Sequence, residues 1–112
     1  MLKTIDRNNT ERVTVEQDDD FYCVIRGVGG AILRDADEAY FQKAIIEAGG
    51  FELDGKAIAL WEKKTGFGVY KNGKRVYLGA IPWHEILPPV VANQILLKID
   101  KMSQLTEDER KN

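Results

Sequence analysis

The stretch FGVYKNGKRVYL, residues 67–78, decides how this chain folds. Apolar and aromatic residues alternate with other types on both sides of Asn72-Gly73, which is typical of a β-hairpin closed by a two-residue turn. In such a hairpin, residues that pair across the two strands share a face. The pattern predicts a core face with Phe67, Val69, Val76 and Leu78, and an opposite face with Tyr70, Arg75 and Tyr77.

Two further turns lie just upstream of this hairpin. Asp54-Gly55 has the composition of a two-residue turn, and Thr65-Gly66 leads into the hairpin itself. The strand between these turns is expected to alternate regularly along its length. Its predicted faces carry Ile58 and Leu60 on one side and Ala57, Ala59 and Trp61 on the other.

The N-terminal part of the chain predicts one more hairpin. Residues 11–17 alternate apolar and polar side chains, and residues 21–28 form a second apolar run. Asp18-Asp19-Asp20 separates the two runs and is expected to form the turn between them. Three carboxylates in a turn are explained by solvation.

Two helices complete the pattern. Asp35, with Glu38 three residues later, has the form of a capping box for the first helix, which would end at Gly49-Gly50. The second is expected to begin near Pro88 or Pro89, because proline suits the first turn of a helix. The predicted apolar stripes are Phe41, Ala44, Ile45 and Ala48 for the first helix, and Val91, Ile95, Ile99 and Met102, flanked by Leu96, for the second.

The order ββαβ(β)ββα predicts an α+β domain, with an antiparallel sheet of about five or six strands and two helices packed on one face. At 112 residues the chain is expected to form one domain over residues 11–103. Residues 1–10 are predicted to be a flexible N-terminus and residues 104–112 a charged flexible tail.

Composition excludes several classes of protein. No apolar run approaches the roughly 18 residues that span a bilayer, and the N-terminus has no apolar signal core. We therefore expect a soluble cytoplasmic protein. One cysteine and one histidine cannot form an internal disulfide or a zinc cage of thiolates and imidazoles, and no metal or cofactor is predicted.

His84 and Cys23 are the candidate catalytic side chains. His84 could act as a general base or metal ligand, although adjacent residues such as Glu85 do not face each other in regular strands or helices. Cys23 lies between apolar strand residues, which indicates a small buried side chain rather than a nucleophile. The simpler interpretation places His84 in a turn between sheet and helix.

Basic charge is concentrated in the middle of the chain. Residues 1–55 have a net charge of −6, whereas residues 56–79 have +5 and residues 80–112 have −1. Tyrosines and an arginine lie among these lysines, an arrangement that suits an acidic protein partner or a nucleic acid. The lysines could also protect exposed strand edges from aggregation. The predicted binding residues are Tyr70, Lys71, Lys74, Arg75, Tyr77, Lys63 and Lys64.

The sequence therefore favours a small non-enzymatic binding protein of the inhibitor or adaptor type, which contacts an acidic protein through the basic aromatic hairpin. The alternative is a nucleic-acid-binding domain that uses the same hairpins. A third hypothesis is a small hydrolase or metal-dependent enzyme built around His84. A symmetric homodimer is compatible with any of these functions.

Overall fold

The computed structural model describes residues 1–29 and 37–103. Within these residues the strands are β1 Thr10–Val15, β2 Asp18–Arg26, β3 Ile45–Gly49, β4 Phe51–Leu53, β5 Lys56–Glu62, β6 Phe67–Tyr70 and β7 Arg75–Tyr77. The helices are α1 Asp37–Ala44, α2 Trp83–Ile86 and α3 Pro89–Ser103. Asp35, the predicted cap of the capping box, and the predicted tail 104–112 lie outside the described part of the chain.

The strands form one antiparallel sheet in the order β1-β2-β3-β5-β6-β7, and β4 also pairs with β5. β3 and β4 pair with successive parts of β5, so they are two halves of one long strand interrupted at Gly50. The α+β class and the antiparallel sheet predicted from the sequence are confirmed, and the sheet has six or seven strands.

A single hydrophobic core joins the sheet to the helices. β2 contributes Cys23 and Ile25, and α3 contributes Val91, Ile95 and Ile99, all of them buried. The predicted apolar stripe of the last helix is therefore confirmed, with Met102 and Leu96 half-buried against the same core. Among the described residues, no helix is long and apolar enough to cross a membrane.

The first helix is shorter than its apolar stripe predicts. α1 ends at Ala44, and residues 45–49 form strand β3 instead of about one further helical turn. The register of β3 against β2 shifts, so that Ile46 is an extra residue and forms a β-bulge. Because of this bulge, Ile45 and Ala48 can both be buried. Adjacent β-branched isoleucines also favour a strand over a helix.

The first turn also differs from its prediction. The chain turns at Glu16 and Gln17, and Asp18 already begins β2. The register between β1 and β2 shifts next to this turn, where the Asp18 carboxylate accepts hydrogen bonds from the backbone N–H groups of Asp20 (2.7 Å) and Phe21 (3.2 Å). Asp18 thus has a local structural function, because it provides acceptors for two amides beside an irregular pairing.

In β5 the predicted alternation fails at Ala59. Ile58 and Trp61 are both buried, although residues three apart on a regular strand face opposite sides. Ala59 is an extra residue in the pairing with β6, so the bulge turns Trp61 back to the side of Ile58. The core therefore receives a large indole that the sequence pattern assigned to the opposite face.

Two of the three predicted glycine turns, Asp54-Gly55 and Asn72-Gly73, differ in length. Asp54 and Gly55 both have positive φ, 52° and 80°, and form the predicted two-residue turn. At the second turn only Gly73 has positive φ, 86°. Tyr70 N–H donates to the Lys74 carbonyl at 2.9 Å, which closes a three-residue loop.

This longer loop changes the register of the hairpin by one residue. Pairing is Phe67 with Tyr77, residue 68 with 76, and Val69 with Arg75. Phe67 and Val69 therefore share the outer face with Arg75 and Tyr77, while Tyr70 lies on the core side with Val76 and Leu78. The predicted faces were wrong because a one-residue shift in register moves the side chains of one strand to the opposite face.

Candidate functional site

The outer face of the β6–β7 hairpin presents two aromatic rings and a guanidinium group. We call this set, Phe67, Arg75 and Tyr77, the aromatic–arginine face. The Phe67 and Tyr77 rings meet edge to face with centroids 5.5 Å apart, and the Arg75 guanidinium lies 5.0 Å above the Phe67 ring. Tyr77 is 72% exposed and Phe67 38% exposed. These large side chains pack on one another at the surface rather than in the core.

Neighbouring residues hold this face in place. Backbone N–H groups of Leu78 and Gly79 both donate to the Gly66 carbonyl, at 2.9 and 3.0 Å. The Trp61 indole N–H donates to the Gly79 carbonyl at 3.0 Å, which connects the end of the hairpin to the core. A methyl group added at Gly66 would lie 2.7 Å from the Tyr77 ring, so glycine allows that ring to lie close to the backbone.

Tyr70 was predicted to belong to this surface, but the structure separates it. Its ring is half-buried against the core, and the Lys56 ammonium lies 5.9 Å from the ring centroid. Phe67 takes the place that the sequence pattern assigned to Tyr70. Phe67 could have been identified from its pairing with Tyr77 across the loop. That pairing, however, depends on whether the loop has two or three residues.

The predicted lysines occupy different positions around the hairpin. Lys71 and Lys74 are exposed at its tip, and Lys64 is exposed beside a shallow groove of about 320 Å³ that Tyr77 also lines. Lys63 is half-buried and donates a hydrogen bond to the Gln42 carbonyl at 2.7 Å. Three of these four lysines are therefore exposed, Lys64 beside a groove that Tyr77 lines and the other two at the tip of the hairpin.

Lys63 instead stabilises the C-terminal end of α1. Arg26 does the same, because its Nε donates to the Lys43 carbonyl at 3.1 Å. Cations are favourable at this end of a helix, where carbonyl groups lack partners within the helix. Burial, together with the nearby charges of Arg26 and Lys43, lowers the pKa of Lys63. Its structural function makes Lys63 a poor candidate for partner binding.

Carboxylates lie on the same side of the sheet, on β5, which pairs directly with β6, and on β3, which is the next strand along. Glu47 and Glu62 are directly paired across β3 and β5, and both line a groove that also contains Lys63 and Lys64. The Tyr22 hydroxyl donates to Glu47 at 3.1 Å, and burial together with this hydrogen bond raises the pKa of Tyr22. This carboxylate pair places negative charge beside the basic region.

His84 lies in α2, and its Nε2 atom is 3.8 Å from Oε1 of Glu85. The expectation that Glu85 is poorly placed to orient His84 stays a prediction, because this distance is longer than a hydrogen bond. Within the described residues, no group of three or more His, Cys, Asp or Glu side chains is placed to hold a metal ion.

Cys23 of the folded protein should be inert to thiol reagents. Burial raises the pKa of its thiol to about 12, so only about one molecule in ten thousand would carry the thiolate near pH 8. We expect Ellman's reagent to detect no fast-reacting thiol in native buffer and one thiol per chain after denaturation. A Cys23→Ala/Thr65→Cys variant, with its thiol in an exposed turn, is the reactive control. Rapid labelling of native Cys23 would contradict the buried assignment.

Comparison with protein-family models, with curated proteins and with solved structures gives no match for this chain. Its function must therefore be inferred from its own side chains. The feature that these side chains bring together is the aromatic–arginine face, with its surrounding lysines.

Proposed function

We propose that this chain is a small binding protein that contacts an acidic protein partner through the aromatic–arginine face. The observation that carries the proposal is the 72% exposed Tyr77 ring, held against Phe67 and next to Arg75. Tyrosine and arginine are enriched among the residues that dominate the energetics of protein interfaces. Covering a surface of such residues with a partner costs little free energy of desolvation and gains free energy from the new contacts.

Preorganisation supports the same proposal. Tyr77 lies over Gly66, and the end of the hairpin is bonded to Trp61 in the core. The rings therefore lose little conformational freedom when a partner binds. The loss of this freedom is a main cost of association. A mobile loop with the same side chains would bind more weakly.

Charge determines the kind of partner. Arg75 lies within the face, and Lys64, Lys71 and Lys74 are exposed around it. A partner segment with carboxylates beside an aromatic or aliphatic residue would complement both parts of the surface. Nucleic acid is the second candidate. The paired Glu47 and Glu62 on the neighbouring strands would repel a long phosphate backbone, whereas a short acidic segment can end before it reaches them.

The triple variant Lys71→Glu, Lys74→Glu and Arg75→Glu should lose partner binding and keep its fold. Reversed charge opposes an acidic partner, whereas exposed charges contribute little to stability. We expect at least about a tenfold weaker affinity for the partner isolated with the native protein from cells, measured by calorimetry. Tyr77→Ala should weaken binding to a similar extent, because it removes the exposed ring.

A charge-matched control is the variant Lys3→Glu, Lys98→Glu and Lys101→Glu, which changes three exposed lysines away from the hairpin. It should bind like the native protein. Equal affinity of the hairpin variant, with native circular dichroism, would reject the proposal. Nuclease-sensitive capture with a steep loss of affinity in salt would instead support nucleic acid, and capture of this chain itself would identify a dimer interface.

A further inference from the structure

A second surface feature lies on the core side of the sheet, away from the aromatic–arginine face. It is a cavity of about 510 Å³ between the β1–β2 turn, strand β4 and the connection from α2 to α3. Phe51, Ile86 and Leu87 are half-exposed and form its apolar wall. Pockets for small molecules range from roughly 300 to 1,000 Å³ and are mostly apolar with a few polar groups. Both size and lining suit a small ligand.

The rim of this cavity is predominantly acidic. Asp18, Asp20 and Glu52 line it, against the single ammonium group of Lys71. One oxygen of Asp18 already accepts two backbone hydrogen bonds, whereas Asp20 and Glu52 extend from strands as exposed side chains. The sequence pattern assigned Asp20 to a solvated turn, and only the fold brings it to the same cavity as Glu52. An apolar wall beneath an acidic rim is complementary to a ligand that has an apolar body and a cationic group.

The indole beneath the cavity has an unsatisfied hydrogen-bond donor. Trp83 lines the cavity and packs on Phe51 with ring centroids 5.2 Å apart. Its side chain is fully buried, and its Nε1–H has no acceptor among the described residues. Buried donors without an acceptor are exceptions in folded proteins, because leaving such a donor unpaired costs free energy. An ammonium group is itself a donor and cannot satisfy this N–H, so Trp83 reports on the cavity and is not the polar contact of the ligand.

We propose that the cavity binds a small organic amine, with an apolar body against Phe51, Ile86 and Leu87 and an ammonium group between Asp20 and Glu52. Charge complementarity selects the cation, because two carboxylates near the rim attract an ammonium group and repel a carboxylate. The cavity does not include Phe67, Arg75 or Tyr77. Lys71 lines the cavity and also belongs to the proposed partner surface, so amine binding is tested on the isolated chain without the partner.

Three probes that share a phenylethyl body test this proposal: 2-phenylethylamine, 2-phenylethanol and 3-phenylpropionate. The readout is the ¹H–¹⁵N spectrum, in which the two indole N–H signals report on different places. The Trp83 signal should shift more with the amine than the Trp61 signal, because Trp83 lines the cavity and Trp61, which donates to the Gly79 carbonyl, does not. We expect the amine to bind about tenfold more tightly than the carboxylate.

Variants with opposite charge effects make the test specific. Asp20→Asn with Glu52→Gln should remove the preference for the amine, and Lys71→Gln should increase it. The matched control, Asp19→Asn with Asp54→Asn, removes the same charge from residues that do not line the cavity and should bind the amine as the native protein does. The proposal is overturned if no probe shifts Trp83 at millimolar concentration, if amine and carboxylate bind equally, or if both double variants behave alike.

Discussion

Trp83→Ala should lower the free energy of unfolding by about 3–5 kcal/mol, the range for removal of a buried aromatic side chain. Trp83 is 0% exposed and lies at the centre of an aromatic cluster. Its ring centroid is 5.2 Å from that of Phe51 and 5.6 Å from that of Trp61. Alanine would leave a cavity where α2 meets the sheet. Since small domains have about 5–15 kcal/mol of stability in total, the loss would be a large fraction of it.

Urea denaturation followed by far-ultraviolet circular dichroism measures this change. Phenylalanine substitutions at the two tryptophans provide the matched comparison. Trp61→Phe removes a 3.0 Å hydrogen bond to the Gly79 carbonyl, whereas Trp83→Phe removes an N–H that has no acceptor in the described part of the chain. Trp83→Phe should therefore be the milder of the two. A loss below about 1 kcal/mol for Trp83→Ala would show that the ring is exposed in solution.

Gly50→Ala should destabilise the protein by about 2–5 kcal/mol. Gly50 has φ of +66°, a conformation that costs an alanine roughly 1–2 kcal/mol. A methyl group there would also collide with the carbonyl group of Asp20 on the neighbouring strand. Backbone atoms in a sheet cannot move aside as a flexible side chain can, so overpacking adds roughly 1–3 kcal/mol.

Gly55→Ala is the control for the cost of placing an alanine at positive φ. Gly55 also has positive φ, 80°, but a methyl group there would meet nothing within 4 Å. The difference between the two alanine variants, measured by urea denaturation, therefore reports the collision with Asp20. If both variants lose the same stability, the close approach of β4 to β2 at Gly50 is not present in solution.

The candidate sites were only partly predictable from the sequence. Lys71, Lys74, Arg75 and Tyr77 follow from the hairpin signal, since exposed turn residues and their neighbours are local features. Phe67 was assigned to the core because its orientation depends on whether the Asn72-Gly73 loop has two or three residues. Asn-Gly is compatible with both loop lengths. A change from one length to the other moves the side chains of one strand to the opposite face of the hairpin.

The acidic cavity could not be predicted from local patterns. Asp20 and Glu52 are far apart in the sequence and belong to different hairpins. They approach because Gly50 allows β4 to pass close to the backbone of Asp20. Lys63 shows the reverse case: its charge suggested binding, but its contact with the Gln42 carbonyl gives it a structural function.

The sequence by itself determined the α+β class, the antiparallel sheet, the Asp54-Gly55 turn and the apolar stripe of α3. These depend on turn chemistry and on a long helical period, both of which act between near neighbours. Tertiary structure decided the end of α1, the faces of β5 and the register of β6 with β7. Ile45 with Ala48, and Ile58 with Trp61, are three residues apart and buried together. A spacing of three fits either a helix or a strand with one bulge, and only pairing with neighbouring strands selects the bulge.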